Sequence, residues 1–342
     1  MTEPKLAPLA LLFPASLALL ASCAGPGSGP APRALVRGPL PTRVSQPVAL
    51  LFPGPEPRRA RPEEEGVTFA RAELSYASIF EVREGVGESV RFDGEIARAA
   101  FEIRRGLGHG LELSIEPAVL FAGPGFLDWT IDEFHDLTGF VGGGRDDVER
   151  NQYTMDVARG GTEAYRLERD ELLLADLPVT LVAALREEDE HGPAVAARLT
   201  VELPTGNEDR GSGSGGVDVA AGVLVERSVG RWTFFGGVDG VETDDPDGFE
   251  DAGIEVRTLL FANGGLEYRW SDRLSLLGQA LLQMPLTRSV DAEELDREIL
   301  DLGIGAAWDV GRGTTVFASF HEDAVAASGP DATIQFGIAL RR

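Results

Sequence analysis

Residues 298–320, EILDLGIGAAWDVGRGTTVFASF, alternate with almost no error, and that period confines the chain to β-structure. Leu300, Leu302, Ile304, Ala306 and Trp308 share one parity; Asp301, Gly303, Gly305, Ala307 and Asp309 share the other. After a turn at VGRG, Val316, Ala318 and Phe320 oppose Thr315, Ser319 and His321. Successive side chains of a strand point to opposite faces, so one face is apolar and the other polar or small. The pattern recurs over 70–76, 111–119, 195–202, 217–226, 260–270, 276–284 and 332–341. Period-two reading gives about twelve clear strands and two weaker ones near 151–158 and 164–172.

The connections carry a second pattern. SVGRW, RWSDR, WDVGRG and RRGLGHG are tight turns, whereas PTGNEDRGSGSGG, VETDDPDGFEDAG and LTRSVDAEELDRE are long and acidic. Short and long alternate through the C-terminal half. A soluble sandwich has no reason to keep all its short turns at one end. An outer-membrane barrel does, with short periplasmic turns, long external loops and aromatic girdles, here Trp232, Tyr268, Trp270 and Trp308.

Which face is wet follows from the residues on each parity. The apolar parity is rich in Ala, Val and Leu rather than in bulky core residues. The other holds Arg71, Glu73, Arg98, Glu102, Glu112, Glu116, Arg198, Glu202, Asp218, Glu226, Asp239, Glu267, Arg269 and Asp301. A barrel of about eight strands already encloses as much as side chains fill, so twelve strands could not bury the apolar parity inward. The charged residues are therefore expected to face a hydrated or ion-paired lumen, with lipid tails against the apolar band. Stretches such as 258–270, 274–286 and 298–309 have the length a tilted strand needs to cross a bilayer. The expected fold is all-β: an antiparallel transmembrane β-barrel of about 12–14 strands over residues 67–342, with one short helix in a long external loop. The competing architecture is a soluble periplasmic β-sandwich lipoprotein.

The N-terminus carries the expected signals of export. Residues 1–23, MTEPKLAPLALLFPASLALLASC, have an early Lys, an apolar run and small residues before Cys23, the pattern of a signal peptide. Leu20-Ala21-Ser22-Cys23 has the form of a lipobox, which makes Cys23 the expected lipidation site. As the single cysteine, Cys23 also excludes an internal disulfide and a thiolate metal cluster. Residues 24–66 are Pro-rich and are expected to form an extended periplasmic tether, in which PVALLFP is apolar enough to dock somewhere. A formal net charge of −25 argues against nucleic acid as a partner and against docking on anionic lipid through a basic patch.

Three segments, GPLPTRVSQPVALLFP (38–53), GFLDWTIDEFHDLTGF (125–140) followed by Arg145, and ELPTGNEDRGSGSGGVD (202–218), resemble a bacterial family known only as a domain of unknown function, number 3187. The resemblance implies an outer-membrane β-barrel. It carries no site residue and no activity.

Catalytic chemistry has little support. His109 and His191 lie in turns, His135 has no evident partner, and Ser319 and His321 are neighbours on one strand with no nucleophile elbow or oxyanion loop around them. No cofactor motif is present, and GSGSGG lacks the Lys of a phosphate loop. Phe126, Trp129, Ile131, Phe134, Leu137 and Phe140 are spaced for a short amphipathic helix capping the barrel mouth within 122–150. The stretch TDDPDGFEDAGIE fails a calcium-loop frame at both ends, leaving weak divalent binding at acidic loops. The function expected is a small-solute channel or uptake pore in the bacterial outer membrane, not an enzyme. Membrane lipid and lipopolysaccharide are its expected partners, and the acidic mouth gives any open pore a preference for cations. The alternative is a closed structural or lipid-interacting barrel.

Overall fold

The computed structural model describes residues 37–85, 87–127, 151–287, 293–324 and 329–342. Among them the chain forms sixteen strands: β1 (Thr68–Glu84), β2 (Glu88–Gly108), β3 (Leu111–Ile115), β4 (Ala118–Gly123), β5 (Thr154–Arg159), β6 (Thr162–Arg166), β7 (Leu172–Leu174), β8 (Leu177–Arg186), β9 (Ala194–Leu203), β10 (Asp218–Val229), β11 (Trp232–Glu242), β12 (Leu259–Arg269), β13 (Leu274–Gln283), β14 (Ile299–Gly311), β15 (Thr314–Asp323) and β16 (Ala332–Arg341). β3 and β4 are one strand interrupted at Glu116-Pro117, where proline has no N–H to give the ladder. β7 and β8 break opposite them, at Ala175-Asp176, where no proline stands and the Ala175 N–H still reaches the Ala118 carbonyl at 3.0 Å.

With each interrupted pair counted once, twelve staves run antiparallel around a closed ring. Each stave pairs with its chain neighbours, and the ring closes where β1 meets β16, from Phe69↔Arg341 to Ser78↔Ala332. The two weaker strands of the sequence reading are real but stand outside the ring. β5 pairs with the upper part of the long β2, and β6 pairs only with β5. The barrel therefore has twelve staves, not fourteen, and it is closed, which removes the two-sheet sandwich from consideration.

Closure answers the parity question. Leu302, Ile304 and Trp308 are 47%, 68% and 54% exposed, whereas Asp301 beside Leu302 is 6% exposed. Val219, Val223, Leu266, Leu276 and Phe336 are likewise exposed on the outer face. Turns of two to seven residues join β2–β3, β8–β9, β10–β11, β12–β13 and β14–β15 at one end; the longer connections lie at the other, together with the three-residue turn between β1 and β2. At the short-turn end, Trp232 and Tyr268 are directly paired across β11 and β12, their ring centroids 4.5 Å apart, and Trp270 meets Tyr268 edge-on.

At the long-loop end β1 and β2 extend beyond the other staves. The β5–β6 hairpin and a six-residue helix, α1 (Asp247–Ala252), gather there. Phe249 of α1 is buried, and Glu208 accepts the Asp247 N–H, so the loops after β9 and β11 fold onto each other. The acidic stretch TDDPDGFEDAG is thus α1 and its approach, with Asp245 accepting the Val256 N–H at 2.7 Å. Most of the expected mouth helix, from 128 on, and the signal peptide with Cys23 lie outside the described residues.

Candidate functional site in the barrel interior

The interior is built first from the charged parity. Thirteen of the fourteen charged positions read from the sequence are buried, and Arg269 near the short-turn end is half-buried. Register brings them together. Arg71 on β1 stands directly opposite Glu102 on β2, and Ser75 opposite Arg98. The Arg71 guanidinium is 2.8 Å from Glu116, 3.0 Å from Glu73 and 3.3 Å from Glu102. Arg98 reaches Glu116 at 2.6 Å and Glu73 at 3.1 Å. Across the barrel Arg198 on β9 grips Asp239 on β11, its Nε donating at 2.9 Å, although β10 lies between them. Gly222 makes this possible: it pairs with Arg198 on one side and Asp239 on the other, and a Cβ there would collide with the Asp239 carboxylate.

The second component was not expected. Residues 37–66, read as a periplasmic tether, run through the barrel interior. Arg37 lies at the short-turn end, bonded to the Asp272 carbonyl and to Ser275, and its N–H and that of Gly38 both reach Glu267 on β12. Higher up, the Leu40 N–H donates to Gln279 on β13. The segment turns over in a 3-10 turn at Ala49–Leu51 and descends on the opposite side. There Glu56 reaches Arg71 at 2.6 Å, Arg58 reaches Glu112 at 2.7 Å, and Arg59 reaches Glu226 at 2.6 Å. The Gly66 N–H then joins the Gly106 carbonyl and β1 begins. Sequence reasoning missed this hairpin because proline density removes all periodicity. The signal that could have found it is the run PEPRRARPEEE, which is too charged and too sign-balanced for a passive spacer.

Its apex is apolar, and so is the part of the barrel that receives it. Val48, Ala49, Leu50, Leu51 and Phe52 pack in one buried cluster with Val241, Leu259, Phe261, Leu281 and Ile299 from the wall and Phe92, Ile96 and Leu120 from the extended staves. PVALLFP does dock, inside. The interior parity is thus charged through the middle and apolar near the long-loop end. Tyr165 on β6 closes the top, its hydroxyl donating to the Pro47 carbonyl at 3.1 Å. Two small voids remain beside the hairpin, of about 50 and 70 Å³.

One constellation resembles hydrolase chemistry. His321 Nδ1 lies 2.9 Å from Asp301, and Nε2 lies 2.8 Å from the Ser319 hydroxyl. The three side chains are buried, and Ser319 also bonds Gln335 at 3.0 Å. An acyl-transfer site needs free N–H donors aimed beside the nucleophile. β15 is flanked by β14 and β16, with Ser319 paired to Gly305 and to Gln335, so the backbone there is committed to the ladder. The trio is a polar tie between neighbouring staves. Of the other histidines, His109 and His191 lie in short turns as expected; the β8–β9 turn is held by Asp189, whose carboxyl is kept below its usual range first by the His191 N–H.

A closed antiparallel barrel, apolar outside and charged within, has the architecture of outer-membrane β-barrel proteins. The chain belongs to DUF3187, a family of unknown function whose model matches residues 22–341. No curated protein matches the sequence. Among solved structures, the COG4313 outer membrane channel from Pseudomonas putida F1 aligns with a TM-score of 0.57 at 14% identity, covering 84% of this chain and 99% of that one. The KdgM porin in complex with disordered oligogalacturonate aligns with a TM-score of 0.40 at 7% identity, over 80% of this chain and 98% of that one. The translocator domain of the autotransporter NalP from Neisseria meningitidis gives 0.40 at 11%, over 82% and 90%. The likeness in fold rests on the first of these.

Proposed function

We propose that the protein is an outer-membrane channel for small solutes that is held closed by its own N-terminal hairpin, residues 37–66, with the short turns facing the periplasm. The supporting observation is how the hairpin is held. Among the described residues, none of the backbone hydrogen bonds of residues 37–63 goes to the backbone of a strand. Its anchors are side chains: Glu267, Gln279, Glu112, Glu226 and Arg71 on the wall. A filler held this way can shift without breaking the barrel ladder, and the wall it would uncover carries charges of both signs, as water-filled lumens do.

A permanently closed barrel is the second reading, favoured by the depth at which Val48 and Phe52 are buried. Planar-bilayer recording separates the two. The full-length protein is expected to give rare, small steps, and a variant lacking residues 38–61 large, steady ones. A deletion variant that migrates as a folded, heat-modifiable barrel and never conducts overturns the channel.

A further inference from the structure

The chain has 56 acidic against 31 basic residues, yet one part of its interior has the opposite balance. The larger void, about 70 Å³, lies between the two legs of the hairpin and the wall near the short-turn end. Seven arginines line it against two glutamates, Glu63 and Glu112. The arginines come from both components: four from the hairpin, and Arg71, Arg104 and Arg341 from β1, β2 and β16. Each of three has one terminal nitrogen on a carboxylate at 2.7 Å: Arg58 on Glu112, Arg104 on Glu102 and Arg341 on Glu63. Their Nε–H groups are buried and have no hydrogen-bond partner.

A buried N–H without an acceptor is rare in folded proteins and marks a place where an acceptor belongs. Here three arginines that each carry such a donor, from three separate elements, line one void. A guanidinium offers its donors in a planar fork that matches carboxylate and phosphate oxygens, and the void has the volume of one such group or about two waters. We propose that this chamber binds a small oxyanion, the carboxylate or phosphate group of a solute, through Arg58, Arg104 and Arg341. As a statement about what crosses the barrel, it rests on the channel reading above. It also reverses the preference suggested by the acidic loops: the mouth is acidic, but the chamber near the short-turn end selects anions.

The test is calorimetric titration of the purified full-length protein in detergent at low ionic strength, with inorganic phosphate in one arm and succinate in the other. Saturable binding of at least one is expected, weakened at least tenfold in Arg104→Gln/Arg341→Gln. Arg58→Gln, which lies on the hairpin and leaves every stave intact, should weaken it as well, and Arg312→Gln in an exposed turn should not. No saturable binding to the folded protein, or binding that all three arginine substitutions leave unchanged, overturns the proposal. Because binding is read without current, a conducting barrel that ignores both anions counts against the chamber alone. A silent barrel that binds them counts against the channel alone.

Discussion

Arg71 holds four carboxylates within 3.3 Å, counting Glu56 from the hairpin. Removing it strands buried like charges, which costs about 3–5 kcal/mol for a broken buried pair. Arg71→Met is therefore expected to lower the temperature at which the folded barrel band is lost on a gel. Arg91→Met, which removes an ion pair to Asp156 whose arginine is 43% exposed, should cost about 0–1 kcal/mol and leave that temperature nearly unchanged. Equal effects would mean that burial of the ion pairs around Arg71 does not matter. The charged positions themselves were legible, since period two assigns them to one face. Their partners were not: Arg198 meets Asp239 across an intervening strand only because position 222 is glycine, and no local pattern announces that.

At the scale of the element, the staves and the hairpin differ in how they are encoded. Staves are written as alternation and could be read directly; the interruptions at Glu116-Pro117 and Ala175-Asp176 were not read from it. β5 and β6 also alternate, but alternation specifies a strand and not its place in a ring, so fourteen and twelve staves were equally compatible with the pattern. The hairpin has no period, and its contacts are scattered over nearly all the wall. Its seat was hidden because the receiving residues, Val241, Leu259, Phe261, Leu281 and Ile299, occupy interior positions near strand ends. Phe52→Ala should unseat the apex at a cost of about 3–5 kcal/mol, more than about a hundredfold in an opening equilibrium. In a Cys23→Ser background, Ala49→Cys reports this as faster labelling by a water-soluble maleimide. An unchanged labelling rate would mean that the apex is not what holds the hairpin. Gly106 guards the other end: a Cβ there would strike the carbonyl oxygens of Glu63 and Glu64.

For the whole molecule the outer face makes the sharpest demand. Ile304 is 68% exposed near the middle of β14, a position that suits acyl chains. A charge at the midplane of a lipid-facing strand costs about 2–4 kcal/mol, so Ile304→Arg should shift urea unfolding in lipid vesicles by that amount. No shift would place this band outside a bilayer. Both legs of the hairpin stand at the short-turn end, Arg37 beside Asp272 and Gly66 beside Gly106, while Tyr165 and the β5–β6 hairpin cover the apex. What fills the cylinder is thus a doubled-back cord with its bight uppermost. Because residues 37 and 66 both stand at the short-turn end, residues 37–66 would leave the bore as a loop, with neither a cut nor a threading of that segment.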